Sequence, residues 1–329
     1  MNAPAQFRGL RAEREEEWRR LDELLSICER KSPRALSDEE LMALPVLYRG
    51  ALSSLSVARE TSLDLELVTY LEGLCARAYF FIYGVRTSPA KRTAHFFAVD
   101  WPAAIRSLWR ETIAATALFL VGTLVGYMLV RGDPSWFGAF VPEEMAGGRD
   151  FSADAAHLRG TLYDTEGINA LAVFATFLFT HNAQVAILCF ALGFAFGAPT
   201  ALLLIYQGTM LGAFFALFGS HGLGFELGGW LIIHGSTEIF AIVLAGAAGF
   251  RIGWSVVFPG GLSRMAAATA SGKTAATAMV GIVLMLCVAG LLEGFGRQLV
   301  VSDEARYAIG SGMLLSWFLY YYLPRRARR

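Results

Sequence analysis

The stretch "GWLIIHGSTEIFAIVLAGAAGFRIGW", residues 229–254, decides the fold class. It exceeds the roughly 20 apolar residues that a helix needs to cross a bilayer. Before its final arginine, the only ionisable side chains are His234 and Glu238. Residues four apart lie on one face of a helix. The stretch therefore predicts a transmembrane helix that carries two polar groups one turn apart.

Composition extends this interpretation to the whole chain. Hydrophobic residues make up 55% of the sequence and charged residues 17%, against about 25% charged in soluble domains. Most of the charge lies in the first hundred residues, so we predict a cytosolic helical head at 1–99 and a transmembrane domain at 100–329. The formal net charge is zero, which gives no support for a nucleic-acid partner.

The head is predicted to be helical throughout. "SDEE" at 37–40 reads as a capping box, with Ser37 as the cap and Glu40 three residues later. Two sets of apolar residues recur at helical spacing and are expected to be buried: Trp18, Leu21, Leu25 and Cys28, and Leu67, Leu71, Leu74 and Ala78. The last helix is expected to stop at Gly84, and the basic residues 85–99 are read as a connector.

The second part of the chain is expected to form an all-α polytopic bundle of about six transmembrane helices. The predicted spans are 112–130, 183–197, 200–219, 225–250, 275–292 and 308–323. Residues 168–181 are read as an interfacial or re-entrant helix, although part of it could extend the short second span. Asp100 is expected to cap the helix that Pro102 begins, and Trp230 and Trp254 are expected to bracket the fourth span at the membrane interfaces.

Charge in the connections predicts the orientation. Residues 251–274 contain Arg251, Arg264 and Lys273 and no acid, and the chain ends in "RRARR", whereas residues 131–166 are net acidic. By the positive-inside rule both termini and the 251–274 loop are cytoplasmic and the 131–166 loop faces outward. We therefore expect a multi-pass protein of the cytoplasmic (inner) membrane, in contact with membrane lipid.

Four glycine pairs at four-residue spacing indicate close helix crossings. They lie on four predicted spans: Gly122/Gly126, Gly193/Gly197, Gly208/Gly212 and Gly290/Gly294. Such pairs let helix backbones approach each other in lipid, where no hydrophobic effect drives helices together. The crossings are expected within the chain or between subunits of a homo-oligomer.

His234 and Glu238 are the principal candidates for function, because ionisable groups at membrane depth are costly unless they have partners. Asn182 and Gln207 are the available neutral donors, and Arg251 stands at a span end. We favour the interpretation that the pair is an interhelical hydrogen-bonding element of the fourth span, with a transport site as the alternative.

No metal or cofactor site is expected. The zincin pattern H-E-x-x-H is absent, since one histidine precedes Glu238. "SGKT" at 271–274 resembles the end of a phosphate-binding loop, but Ala267 stands where the first glycine is required. That segment is instead read as a polar cytosolic loop.

Several passages resemble the stage II sporulation protein M family of integral membrane proteins. The head resembles its N-terminal segment in "EEEWRRLDELL", "LMALPVLYRGALSSLSVAR" and "YLEGLCARAYFFIYG". "WPAAIR" at 101–106 and "HNAQVAILCFALGFAFGAPTALLLIYQGTMLGAFF" at 181–215 resemble its first, second and third spans. The most specific likeness is "IIHGSTEIFAIVLAGAAGFRIG" at 232–253, a histidine-glycine pair, a glutamate and a small-residue run to arginine.

The chain departs from that family pattern at Glu72-Gly73, Tyr79, Gln207 and Ile233. The resemblance implies a membrane scaffold, which in spore-forming bacteria serves peptidoglycan-degrading enzymes. Our leading expectation is therefore a non-enzymatic membrane protein that organises an envelope or cell-wall complex through protein partners. A transporter or channel that uses His234 and Glu238 is the alternative, and a membrane-embedded enzyme is a weaker one.

Overall fold

The computed structural model describes residues 3–31, 35–61, 65–83, 88–163, 168–292, 300 and 302–323. Every element in these ranges is a helix, in agreement with the all-α prediction. The chain divides into two compact units, 1–89 and 90–329. The boundary thus precedes the predicted one, because residues 90–99 are not a connector: they are helical and belong to the second unit.

The head consists of three helices, α1 (Ala3–Lys31), α2 (Asp38–Thr61) and α3 (Leu65–Tyr83). Their core includes all eight apolar residues that the helical spacing selected. The capping box is confirmed, because Ser37 Oγ accepts from the Glu40 amide at 3.3 Å and Glu40 Oε2 accepts from the Ser37 amide at 3.0 Å. The expected stop at Gly84 lies outside the described residues.

Polar contacts add to the apolar core of the head. The Trp18 indole donates to Ser54 Oγ at 3.2 Å and joins α1 to α2. Arg77 of α3 forms ion pairs with Asp22 at 2.5 Å and Glu29 at 3.0 Å, both on α1. These side chains are partly exposed, so the ion pairs contribute less than the buried leucines do.

The second unit begins with short helices and continues as a bundle of long ones. The short helices are α4 (Pro89–His95), a π-helical turn (Phe96–Asp100), α5 (Trp101–Ser107), α7 (Phe137–Phe140), α8 (Glu143–Ala146) and α9 (Ala155–Tyr163). The long helices are α6 (Trp109–Gly132), α10 (Ile168–Ala191), α11 (Ala198–Ser220), α12 (Gly224–Val257), α13 (Arg264–Leu291) and α14 (Asp303–Tyr322).

Helix α12, which carries the opening stretch, is the centre of this bundle. It packs against α6, α10, α11, α13 and α14. The most apolar window of α12 is 67% buried, against 28% for that of α6. Helix α12 is the most enclosed of the five candidate spans, and a helix enclosed in this way can hold polar groups such as His234 and Glu238 away from lipid.

Five described helices are long and apolar enough to cross a membrane. Four of them, α6, α11, α12 and α13, coincide with predicted spans, and the fifth is Asp38–Glu60 of the head. The predicted span 183–197 falls in a shorter apolar helix, Thr180–Phe194, and 308–323 falls in α14, which is not among the five. The structure thus shows a multi-pass membrane protein in which four of the six predicted spans coincide with helices long and apolar enough to cross a membrane.

Several predicted boundaries were wrong. Residues 168–181 are not a separate helix, because α10 runs through His181 and Asn182 without a break. The loop predicted at 251–274 is reduced to 258–263, and "SGKT" lies inside α13 rather than in a loop. Asp100 ends the π-helical turn and makes no capping hydrogen bond, although Pro102 does lie in the first turn of α5.

Residues 133–163, which we name the cap segment, pack against one end of the bundle. Phe137, Val141, Leu158 and Leu162 are buried together with residues at the adjoining ends of α11 and α12. The predicted outward loop is therefore largely an ordered layer of short helices. The chain places this layer over the same end of α12 that carries His234 and Glu238.

Candidate functional site

Three residues of α12 form one stripe on the wall of an internal cavity. Trp230, His234 and Glu238 follow each other at four-residue intervals and line a cavity of about 130 Å³. All three side chains are at most 5% exposed. The spacing of a regular helix alone thus directs the two ionisable groups of the opening stretch into the same space.

Glu238 has a defined partner on the neighbouring helix α10. The Asn182 side-chain amide donates to Glu238 Oε2 at 2.8 Å. The other oxygen, Oε1, is buried and has no hydrogen-bond partner among the described residues. An unpaired buried acceptor costs about 1–3 kcal/mol. A ligand that donates a hydrogen bond to Oε1 would remove this cost and so bind more tightly.

Helix α11 completes the polar wall. Gln207, which is 6% exposed, lines the same cavity together with the apolar side chains of Met210 and Phe214. The structure thus brings together four of the five residues that the sequence singled out, from three different helices. The fifth, Arg251, lies elsewhere.

Arg251, near the C-terminal end of α12, contacts the N-terminal end of α6. Its Nε lies 2.6 Å from Glu111 Oε1, and its guanidinium also donates to the Ser107 carbonyl. The ion pair fixes the start of α6 against α12, far along the helix from Glu238. The arginine at the end of the opening stretch therefore holds helices together and takes no part in the cavity.

The cap segment contributes a cation that the sequence did not point to. Arg149 lines the cavity with Met145 and is 8% exposed. It donates to the carbonyls of Ala146 at 2.9 Å and Met145 at 2.8 Å, and its guanidinium lies 5.2 Å from the Phe214 ring centre. One arginine in a polar acidic segment gives no sequence signal, because its burial depends on how the segment folds.

Trp230, which was predicted to be an aromatic residue of the membrane interface, is buried inside the protein. It is 5% exposed and packs edge-on against the His234 ring, with centroids 5.3 Å apart. Trp254, in contrast, is 65% exposed. The cap segment and α11 cover the helix end at Trp230, which is why an aromatic residue there becomes part of the core.

Two of the glycine pairs form one crossing, between α6 and α11. A Cβ atom on Gly122 or Gly126 would collide with the carbonyls of Ile205 or Thr209, and one on Gly208 or Gly212 with those of Phe119 or Thr123. The two helices therefore meet backbone to backbone, each using its own glycine pair. This contact places Gln207 beside the cavity.

The other two pairs have different positions. Gly193 and Gly197 are not on one helix: Gly193 lies in a 3₁₀ turn, and Gly197 has φ +77° at the start of α11. Gly193 approaches Gly249 and Gly253 of α12, and Gly197 approaches Gly253; these two glycines of the opening stretch are four residues apart. Gly290 is helical, and Gly294 lies outside the described residues.

A second buried polar group connects the cap segment to α14. Tyr163 donates to Asp303, with distances of 2.9 and 2.7 Å to the two carboxylate oxygens. Arg306 is 1% exposed, lies 3.5 Å from Asp303 Oδ1 and covers the Tyr163 ring. Burial and the bond to Asp303 raise the pKa of Tyr163 to about 12. The sequence had assigned these residues only to polar connections.

An apolar cleft of about 1170 Å³ lies next to the cavity, between α6, α12 and α14. Five residues line both spaces: Phe119, Leu211, Leu231, Gly235 and Ile239. At their junction stands Gly235, where an added Cβ would meet nothing closer than 3.7 Å. The cavity and the cleft are thus neighbours. The residues between them are apolar, and one of these residues, Gly235, has no side chain.

Comparison with known proteins gives two matches to family models. A model described as stage II sporulation protein M matches residues 115–296, more than half of the chain. A model described as a domain of unknown function (DUF8413) matches residues 9–84, in the head. Neither the curated proteins nor the solved structures contained a match. The first model includes every residue named here on the cavity wall, whereas α14 lies beyond it.

Proposed function

We propose, on the premise that the chain belongs to the stage II sporulation protein M family of membrane proteins, that it is a non-enzymatic scaffold of the inner membrane. It would organise an envelope or cell-wall complex, with both termini in the cytoplasm and the cap segment outside. The head would bind cytosolic partners or a second copy of the chain.

The observation that carries this proposal is the order of the cap segment. Four of its apolar side chains are buried against α11 and α12, and Tyr163 anchors it to Asp303. Glu143, Glu144 and Trp136 of the same segment are exposed, Trp136 to 43%. A folded platform with fixed charges suits a lasting protein contact better than a flexible loop would, because little ordering entropy is lost on binding.

The test is recovery of partners after cross-linking in the native membrane. Glu143→Lys with Glu144→Lys reverses the charge of the platform and is expected to reduce partner recovery at least fivefold. Glu15→Lys with Glu16→Lys makes the same charge change on exposed residues of α1, and as the control it should leave unchanged the recovery of those partners that cross-link to the cap segment. If no partner is recovered reproducibly from the wild-type membrane, the scaffold proposal fails.

A transporter or channel is the second candidate, and the internal cavity supports it. Buried ionisable groups beside a cavity are typical of substrate and ion pathways. Purified protein in liposomes should then show a solute or ion flux that Glu238→Gln abolishes. A broad panel of solutes without any flux would rule this function out and leave the scaffold.

A further inference from the structure

We propose that the cavity and the adjacent cleft form one binding site for a zwitterionic membrane lipid with a primary amine in its head group. The amine would lie at Glu238, the phosphate towards Arg149, and an acyl chain along the cleft. This inference is independent of the scaffold role, since it concerns the side of α12 and of the cap segment that lines the cavity, and not the exposed Glu143 and Glu144.

One carboxyl oxygen on the cavity wall has no hydrogen-bond donor among the described residues. Glu238 is 5% exposed, and Asn182 satisfies Oε2 only. Oε1 is buried with no hydrogen-bond partner among the described residues. An ammonium group supplies both the missing donor and a charge opposite to a carboxylate, and charge-assisted bonds of this kind are about twice as strong as neutral ones.

The charges on the cavity wall match those of a phosphoamine head group. Glu238 contributes a carboxyl group and Arg149 a guanidinium, and the two belong to different elements, α12 and the cap segment. A cavity of about 130 Å³ is close in size to one that holds benzene, so it admits a group of about six non-hydrogen atoms. An aminoethyl group with part of its phosphate fits that limit, whereas an entire sugar head group does not.

The cleft is suited to the apolar part of the same molecule. Its walls are formed by side chains of α6, α11, α12 and α14, almost all of them apolar, among them Ile113, Leu120 and Phe318. Because Gly235 lies in the wall between the two spaces, a lipid has a place to pass from cleft to cavity without displacing a side chain at that point.

Each residue of "HGSTE" has a place in this arrangement. His234 and Glu238 face the cavity, Gly235 lies at the junction, and Ser236 faces the cleft. Ser236 Oγ is buried and has no hydrogen-bond partner among the described residues, so it offers a further polar contact near the glycerol ester region. Thr237 points elsewhere and accepts from the Trp317 indole at 3.1 Å, which fixes α14 against α12.

Photo-labelling in nanodiscs tests the proposal. The full chain is reconstituted in phosphatidylcholine with a trace of photoreactive phosphatidylethanolamine, or of phosphatidylcholine with the same diazirine acyl chain. The two probes share the apolar part, and the choline head has no N–H donor. The amine lipid is expected to label peptides of α6, α12 and α14 at least fivefold more strongly than the choline lipid.

Variants at Gly235 and Glu238 separate the site from general lipid contact. Gly235→Leu fills the junction and is expected to reduce amine-lipid labelling to the choline level, whereas Gly235→Ala, for which the structure has room, retains it. Glu238→Gln keeps the side-chain volume and should give the same loss, and it carries the test if Gly235→Leu is not monodisperse. Equal labelling by both lipids, labelling indifferent to both variants, or a cross-link in the cleft to a second copy of the chain would overturn the proposal.

Discussion

At the scale of single residues, the hydrogen bond from Asn182 to Glu238 depends on the packing of α10 against α12. Hydrogen bonds between membrane helices contribute on average about 0.6 kcal/mol and at most about 1.7. Removing only the donor costs more, about 1–3 kcal/mol, because it leaves the second buried oxygen unpaired as well. The cost of losing Asn182 is therefore governed by the carboxyl group that remains.

Asn182→Ala should lower the free energy of unfolding by about 1–3 kcal/mol. In the Glu238→Leu background the same change should cost less than 1 kcal/mol, since no acceptor is left. Unfolding of the detergent-solubilised protein measures both. Gln184→Ala changes an exposed amide two residues along α10 and should have little effect. Equal costs in the two backgrounds would mean that the bond does not form.

Tyr163 offers a second prediction at this scale. Tyr163→Phe removes the hydroxyl that donates to Asp303 and should destabilise the protein by about 1–2 kcal/mol. This cost is at the lower end of the range for hydrogen bonds to charged groups, because Arg306 still neutralises Asp303. Thermal unfolding in detergent measures it. Tyr206→Phe, on a partly exposed face of α11, is the matched control. A loss no greater than that of the control would remove Tyr163 as the anchor of the cap segment.

The cavity residues differ in how far the sequence could predict them. Asn182, Gln207, His234 and Glu238 stand out because polar side chains are rare in apolar runs. Arg149 and Tyr163 lie in a polar segment, where any arginine or tyrosine is unremarkable. Their burial follows from tertiary packing alone, so no local pattern indicates it.

At the scale of helices, the crossing of α6 and α11 depends on backbone contact. A methyl group at Gly212 would collide with the Thr123 carbonyl, whereas one at Gly219, near the end of the same helix, would meet nothing within 4 Å. Replacing either glycine by alanine favours the helix, but only the change at Gly212 introduces a clash with the neighbouring helix.

Gly212→Ala should destabilise the protein by about 1–3 kcal/mol through overpacking. Gly219→Ala should be neutral or slightly stabilising, because alanine favours the helix over glycine by up to about 1 kcal/mol. Unfolding in detergent compares the two variants directly. If Gly212→Ala were as well tolerated as Gly219→Ala, the close approach of the two helices would be disproved.

Two predicted breaks show which signals act on the backbone. His181-Asn182 does not interrupt α10, because a polar side chain leaves the backbone hydrogen bonds of a helix intact and Asn182 finds a partner on α12. "GAPT" does interrupt the chain, because Gly197 adopts φ +77° and Pro199 has no N–H to donate. Backbone chemistry was thus a reliable signal for a break and side-chain polarity was not.

At the scale of the whole molecule, hydropathy alone does not distinguish a membrane span from a helix of a soluble core. Asp38–Glu60 passes the same criterion as α6. However, one face of this helix packs inside the head core through Leu44, Ala51 and Leu55. A helix that buries its apolar stripe against α1 and α3 has less need of lipid, so we expect α2 to remain outside the membrane.

Cysteine labelling decides this point and the orientation together. With exposed Cys287 replaced by alanine, single cysteines are placed at the exposed positions Glu39, Glu144 and Gly261. A membrane-impermeant maleimide should label Glu144→Cys from outside, and Glu39→Cys and Gly261→Cys only after permeabilisation. If α2 stays out of the membrane, residue 39 lies on the same side as the residues that precede α6. If α2 crossed it, residue 39 would be on the outer side, and external labelling of Glu39→Cys would refute the cytosolic head.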